Sequence, residues 1–95
     1  MVKAIVNGKV LAESGQTVIV ENNHYFPPDT VNKDFFSPSS TSSVCPWKGT
    51  AAYYDATIDG NTIKDVAWYY PEPKAAASNI KDHVAFYKNK VTIEA

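Results

Sequence analysis

The sequence contains no arginine, a single cysteine and no long apolar run, and each scarcity narrows what the protein can do. Arginine is the side chain best suited to paired hydrogen bonds with phosphates and guanine, so its absence argues against nucleic-acid binding. Cys45 has no second cysteine for an internal disulfide, which suits a reducing compartment. No segment approaches the roughly 20 apolar residues of a membrane-spanning helix, and the N-terminal residues lack a signal-peptide pattern. We therefore predict a cytoplasmic protein that binds neither membranes nor nucleic acids.

Several motifs of common enzymes are also missing. The four glycines stand alone at positions 8, 15, 49 and 60, so there is no glycine-rich phosphate-binding loop. No Asp-x-Asp or Asp-x-Glu pair is present to hold two magnesium ions, and no Gly-x-Ser-x-Gly motif occurs. His24, Cys45 and His83 are too widely spaced to read as a zinc ligand set. The sequence therefore predicts no metal site and no cofactor.

Strand patterns dominate the chain. Its 95 residues, formal net charge of −1 and 44% hydrophobic content are typical of one globular domain, residues 1–95. Asn-Gly at 7–8 and Asp-Gly at 59–60 predict two hairpins, because type I′ turns need positive φ at both central positions. The first hairpin pairs Ile5 with Val10. The second places Thr57 opposite Thr62 and Asp55 opposite Lys64. Residues 16–22 predict a further strand.

The remaining segments are less regular. Prolines at 27, 28, 38 and 46 interrupt the strand pattern, and residues 37–43 (SPSSTSS) predict a mobile loop. Residues 31–36 and 74–80 each favour a short helical turn. Residues 83–87 and 90–94 predict a closing hairpin around Asn89. The whole pattern predicts an all-β protein with at most one or two short helical turns, in which antiparallel hairpins form a small rolled sheet, barrel or sandwich.

Aromatic residues give the strongest functional signal, because eight of them fall in three short segments. Neighbouring residues of a strand point to opposite faces, so one set of rings fills the core. The other set either forms a second small core beneath loops or lines a ligand pocket. The eight residues are Tyr25, Phe26, Trp47, Tyr53, Tyr54, Trp68, Tyr69 and Tyr70.

Short segments rich in these aromatic residues carry a family resemblance. They are residues 23–27 (NHYFP), 45–51 (CPWKGTA), 53–54 (YY), 67–71 (AWYYP) and 80–86 (IKDHVAF). Together they resemble the bacterial and cyanobacterial family filed as domain of unknown function 427, over nearly the whole chain. The resemblance implies a small, soluble, β-rich protein, and a nucleotidyltransferase-like label is attached to that family. Its recurring pattern falls on Tyr25, Cys45, Lys48, Gly49, Tyr54, Trp68 and Tyr70.

Three functional hypotheses follow from these residues. The first is a small-molecule binding module whose ligand-binding residues are Tyr25, Lys48, Tyr54, Trp68 and Tyr70. Lys48 would meet an anionic or carbonyl group and the tyrosine hydroxyls would orient the ligand. The second is an enzyme that uses Cys45 as a nucleophile or redox centre with His24 as base, or that has the activity implied by the family label. The third is a protein-interaction module, for which a homodimer is one version.

Overall fold

A computed structural model describes all 95 residues, and its regular structure is mainly antiparallel strand. The nine strands are β1 Val2–Val6, β2 Lys9–Ser14, β3 Val18–Val20, β4 Asn23–Tyr25, β5 Phe36–Cys45, β6 Gly49–Ile58, β7 Asn61–Tyr69, β8 Val84–Phe86 and β9 Thr92–Glu94. Short 3₁₀ segments cover Pro28–Thr30, Lys33–Phe35 and Ala75–Ile80. The strands form three sheets, ordered β2-β1-β9, β3-β4 and β5-β6-β7-β8. The predicted all-β class is confirmed, and the sheets do not close into a barrel.

Both predicted hairpins are present with their predicted turns. Ile5 pairs with Val10, and Thr57 pairs with Thr62. The turn residues at 7, 8, 59 and 60 all have positive φ, as a type I′ turn requires. The contact between Asp55 and Lys64 also forms, with 2.7 Å between Oδ2 and Nζ. The ladder is nevertheless interrupted here by a bulge, because the Asp65 N–H donates to Asp55 Oδ1 at 2.8 Å.

The predicted mobile loop at residues 37–43 is wrong, because these residues lie within β5. Pro38 is tolerated because β5 is an edge strand, where a residue without an N–H leaves no partner strand unpaired. Between Pro38, which faces Tyr54, and Ser42, which faces Ala52, the strand bulges outward. Polar residues at the edge of a sheet therefore form a strand here that composition alone suggests is a loop.

The predicted closing hairpin at the C-terminal end is also wrong. The two strands are joined by a tight turn in which the Lys90 N–H donates to the Tyr87 carbonyl at 3.0 Å. However, β8 pairs with β7, whereas β9 pairs with β1 in a different sheet. Each strand thus finds a partner that is distant in sequence, and the chain crosses from one sheet to another between them.

Two hydrophobic clusters fill the domain, on opposite faces of the four-stranded sheet. The larger cluster includes Leu11, Phe26, Ile58 and Phe86. The smaller one includes Tyr25, Ala51, Tyr53, Tyr70, Ala77, Ile80 and Ala85. Neighbouring aromatic residues of β6 and β7 are divided between the clusters, because Tyr53 and Trp68 face the smaller one and Tyr54 and Tyr69 face the larger one. No helical segment has the length and apolar character that crossing a bilayer requires.

Candidate functional site

Four of the five predicted ligand-binding residues come together around the smaller cluster. Tyr25 and Tyr70 are buried members of it, and Trp68 packs against it from β7. The Trp68 indole N–H donates to the Tyr25 hydroxyl at 3.1 Å, and the two rings meet edge-on at 87°. Both polar tips are therefore already paired with each other inside the protein, which is how buried tyrosine and tryptophan are normally accommodated.

Lys48 joins this cluster through its ammonium group. Its side chain is only 8% exposed and forms an ion pair with Glu21. The Nζ atom lies 5.5 Å from the ring centre of Trp47 and 5.4 Å from that of Tyr70, within reach of cation–π attraction. Burial is the largest single effect and acts to lower the Lys48 pKa, but the hydrogen bond with Glu21 and the neighbouring Tyr25 and Tyr70 together outweigh it, so the pKa is raised. Lys48 is therefore charged, and its charge is already balanced within the protein.

Tyr54 lies on the opposite face of the sheet from the other four predicted residues. Its ring stacks on that of Tyr69, with centres 4.6 Å apart and planes inclined by 19°. Both side chains pack against the larger cluster. Burial raises the pKa of Tyr54 to about 12, with a contribution from the neighbouring Tyr69. The structure thus separates Tyr54 from the predicted set, and its role as a ligand contact stays a prediction.

Tyr53, and not the predicted Tyr54, faces the smaller cluster. Its hydroxyl lies 2.8 Å from Ser43 Oγ and accepts from the Tyr87 hydroxyl at 3.3 Å. The sequence alone indicates the face of Tyr53. Pairing Thr57 with Thr62 places the odd-numbered residues of β6 on the same face of the sheet as the even-numbered residues of β7. Tyr53 therefore shares its face with Trp68, its direct partner in the ladder.

Cys45 and His24, the two candidates for thiol chemistry, make no hydrogen bond with each other. Cys45 is half-buried and packs against the smaller cluster. The His24 Nδ1 atom is instead 2.8 Å from the Thr17 hydroxyl. His24 also lines a small cavity of about 20 Å³ between β4 and the C-terminal segment, together with Lys88 and Ile93. The cysteine–histidine hypothesis stays a prediction.

The largest cavity is a groove of about 400 Å³ at the β5 edge of the four-stranded sheet. None of the predicted site residues lines it. Its lining is rich in hydroxyl groups and contains one ionisable side chain, Glu72. Ser40, Ser42, Thr50 and Glu72 make no side-chain hydrogen bond or ion pair within the protein, so their polar atoms are available to a bound molecule. The lining residues are Ser39, Ser40, Thr41, Ser42, Thr50, Ala51, Ala52, Pro71 and Glu72.

One wall of this groove is the bulge in β5, and a carboxylate on β7 fixes its shape. The Ser39 hydroxyl donates to Asp65 Oδ1 at 2.5 Å, and the Thr41 hydroxyl donates to Asp65 Oδ2 at 2.8 Å. The Thr41 N–H in turn donates to Ser39 Oγ at 3.1 Å. The two hydroxyl groups hold the pKa of Asp65 below its usual value. Asp65 is therefore ionised at neutral pH and keeps the bulge in place.

The opposite wall is the segment that follows β7, and it is fastened to the turn between β5 and β6. The Lys74 N–H donates to the Lys48 carbonyl at 2.9 Å, and Lys74 Nζ donates to the Pro46 carbonyl at 2.7 Å. Gly49 has φ +117°, and a Cβ atom there would lie 3.3 Å from the Glu72 carbonyl oxygen. Glycine is thus needed at this position both for its backbone angle and for the close approach of the wall.

A comparison with known protein families gives one match. The model of the family described as domain of unknown function 427 (DUF427), labelled NTP_transf_9, matches residues 1–95. The chain belongs to the DUF427 family. No curated protein matches the sequence.

The DUF427 label NTP_transf_9 points to nucleotidyl transfer, a reaction for which converging carboxylates commonly hold metal ions. Asp55 and Asp65 lie close together, since the Asp65 N–H donates to Asp55 Oδ1. Hydrogen bonds from Lys64 and the Asp65 N–H hold the Asp55 pKa below its usual value, and the pKa of Asp65 is lowered as well. No group of three His, Cys, Asp or Glu side chains converges in this DUF427 structure. The carboxylates instead tie the strands together.

Proposed function

We propose that this DUF427 domain binds a small polar molecule in the groove between the β5 bulge and the segment after β7. The observation that carries the proposal is a groove of about 400 Å³ on which four unengaged polar side chains converge. This volume falls within the range of roughly 300–1,000 Å³ that is usual for small-molecule sites. Fixed walls add support, because a site that is already shaped loses less freedom when the ligand binds.

The aromatic cluster has a supporting role in this proposal. Ala51 belongs to that cluster and also lines the groove. Tyr70 directly precedes the wall residue Pro71, and the Lys48 carbonyl holds the wall through Lys74. We propose that Tyr25, Lys48, Trp68 and Tyr70 position the wall. Tyr54 and Tyr69 lie on the groove's own face of the sheet, since Tyr69 is the ladder partner of Ala52.

The test fills the groove with a larger side chain and measures the loss of ligand affinity. A metabolite library is screened against the isotope-labelled protein by NMR, and hits are compared between wild type and Ala52→Met. Ala52 lines the groove and is half-buried, so a longer side chain occupies the groove without entering a core. We expect a true ligand to shift the amide signals of residues 39–42, 50 and 72 and to lose about tenfold or more in affinity, or roughly 1.4 kcal/mol.

The matched control is Thr57→Met, an exposed position on the same strand outside the groove. It adds a similar side chain and leaves the groove open, so ligand affinity stays at the wild-type value. Hits that bind Ala52→Met as tightly as wild type bind elsewhere. If every hit behaves in this way, the groove is not the binding site.

A further inference from the structure

We infer that the groove selects a molecule carrying an ammonium group together with other hydrogen-bond donors, such as an amino sugar or a polyhydroxylated amine, and disfavours phosphorylated molecules. This inference rests on the proposed binding function. It concerns the chemistry of the groove lining, which offers more hydrogen-bond acceptors than donors and carries a single negative charge.

The first argument is the direction of the hydrogen bonds that hold the bulge. The hydroxyl protons of Ser39 and Thr41 are both committed to the Asp65 carboxylate. The remaining capacity of these two oxygen atoms is to accept. Any hydrogen bond between a ligand and either oxygen must therefore be donated by the ligand. Because Asp65 is ionised at neutral pH, this polarity persists under physiological conditions.

The second argument is the charge of the lining. Glu72 is the only ionisable residue among the nine, and it forms no ion pair. Prolines on both sides of Glu72 restrict its backbone, which limits the movement of this residue in the wall of the groove. The neighbouring lysines are not among the lining residues: Lys48 pairs with Glu21, and the Lys74 ammonium donates to the Pro46 carbonyl at 2.7 Å.

The same two features disfavour a phosphate group in the groove. Proteins normally bind phosphate with arginine, lysine or a series of backbone N–H groups. The groove lining contains no basic side chain, and its carboxylate would repel the phosphate charge. A nucleotide is therefore a poor ligand for this site, although the family label points in that direction.

The test uses three probes that share one sugar ring. Glucosamine carries an ammonium group at neutral pH, glucose has a hydroxyl at the same position, and glucose 6-phosphate is an anion. Each is titrated into the labelled protein at low ionic strength, and amide shifts of residues 39–42, 50 and 72 are followed. We expect glucosamine to bind about two- to fivefold more tightly than glucose, as an exposed ion pair allows, and glucose 6-phosphate to bind most weakly.

Two variants separate the charge of Glu72 from the rest of the groove. Glu72→Gln removes the charge and keeps the shape, so the preference for glucosamine over glucose should disappear. Glu94→Gln makes the same change on β9, outside the groove, and should leave the preference intact. Raising the salt concentration should also reduce the preference in wild type, because exposed charges are screened.

The outcomes distinguish this inference from the proposed function beneath it. Glucose binding as tightly as glucosamine, or glucose 6-phosphate binding most tightly, overturns the inference but leaves a small-molecule groove in place. The same applies if glucosamine gives no shift at tens of millimolar while the metabolite screen yields ligands sensitive to Ala52→Met. Absence of any groove ligand in that screen overturns the proposed function itself.

Discussion

Replacing Gly49 with alanine tests the geometry on which the groove depends. Gly49 has φ +117°, which L-residues rarely adopt, and the added Cβ atom would lie 3.3 Å from the Glu72 carbonyl oxygen and 3.5 Å from the Lys74 nitrogen. Backbone strain of this kind costs about 1–3 kcal/mol, and displacing a tightly packed neighbour costs about 1–3 kcal/mol more. Because the wall can move outward and relieve part of the clash, we expect Gly49→Ala to lose about 2–4 kcal/mol.

Gly60→Ala is the matched control, because it isolates the backbone contribution. Gly60 has φ +80°, but no atom lies within 4 Å of the position that a Cβ would occupy. We expect this variant to lose about 1–2 kcal/mol, the usual cost of placing a residue with a side chain in the left-handed region. Urea denaturation followed by tryptophan fluorescence gives both free energies of unfolding. A domain of this size is stable by about 5–15 kcal/mol, so both variants should fold. If Gly49→Ala costs no more than Gly60→Ala, the wall is not held against residue 49 and the proposed architecture of the groove is wrong.

Two further predictions concern the acid stability of the fold and the thiol of Cys45. The hydrogen bond from Lys48 holds the Glu21 pKa below its ordinary value of 4.5, so Glu21 stabilises the fold above pH 4.5 and this contribution is lost as the pH falls through the folded-state pKa. Glu21→Gln should therefore lower stability at pH 7 and flatten the loss below pH 4.5, whereas Glu94→Gln should follow the wild-type profile in thermal melts between pH 7 and pH 3. An unchanged acid profile in Glu21→Gln would show that the ion pair with Lys48 contributes nothing. The half-buried Cys45 should react with iodoacetamide more slowly in the folded protein than in urea, as measured by mass spectrometry. Faster reaction in the folded protein would instead support the cysteine-based enzyme hypothesis.

The parts of the fold that sequence reasoning predicts correctly are those fixed by local turn chemistry. Asn-Gly and Asp-Gly set both hairpins, since few other residues tolerate positive φ at two successive positions. The prediction of a loop at residues 37–43 of β5 is wrong because these residues are all Ser, Thr or Pro, which composition assigns to loops. An edge position and the anchoring carboxylate of Asp65, 24 residues or more away, make it a strand. That contact has no signature in the local sequence.

Strand partners across the chain are equally hard to predict. β8 and β9 look like a hairpin because they are adjacent and joined by a turn, and proximity in sequence is the usual guide to pairing. Strand β8 contributes to both clusters, Val84 and Phe86 to the larger and Ala85 to the smaller, whereas Ile93 of β9 packs against the larger cluster. The partners of both strands are therefore set by contacts that are distant in sequence, which the local pattern does not show.

The aromatic residues of the predicted site and the largest cavity lie next to each other but do not coincide. Their spacing predicts correctly that neighbouring rings divide between two faces, as Tyr53 and Tyr54 do. A ring that faces a second cluster can nevertheless be buried without leaving a space, and the Trp68 and Tyr25 tips satisfy each other. The largest cavity lies instead beside the bulge in β5, between that bulge and the segment after β7.

The separation of the groove from the two buried clusters has a physical reason in a small β domain. A domain of 95 residues has little apolar material with which to stiffen a ligand site. Hydrogen bonds from Ser39 and Thr41 to Asp65 hold the β5 bulge, and we propose that the aromatic cluster and Lys48 hold the segment after β7. The groove between them is then lined by small polar side chains, which can contact a ligand without weakening either cluster. Changes at the unengaged lining residues Ser40, Ser42, Thr50 and Glu72 should therefore alter binding with little effect on stability, whereas changes at Tyr25, Gly49 or Asp65 should affect both.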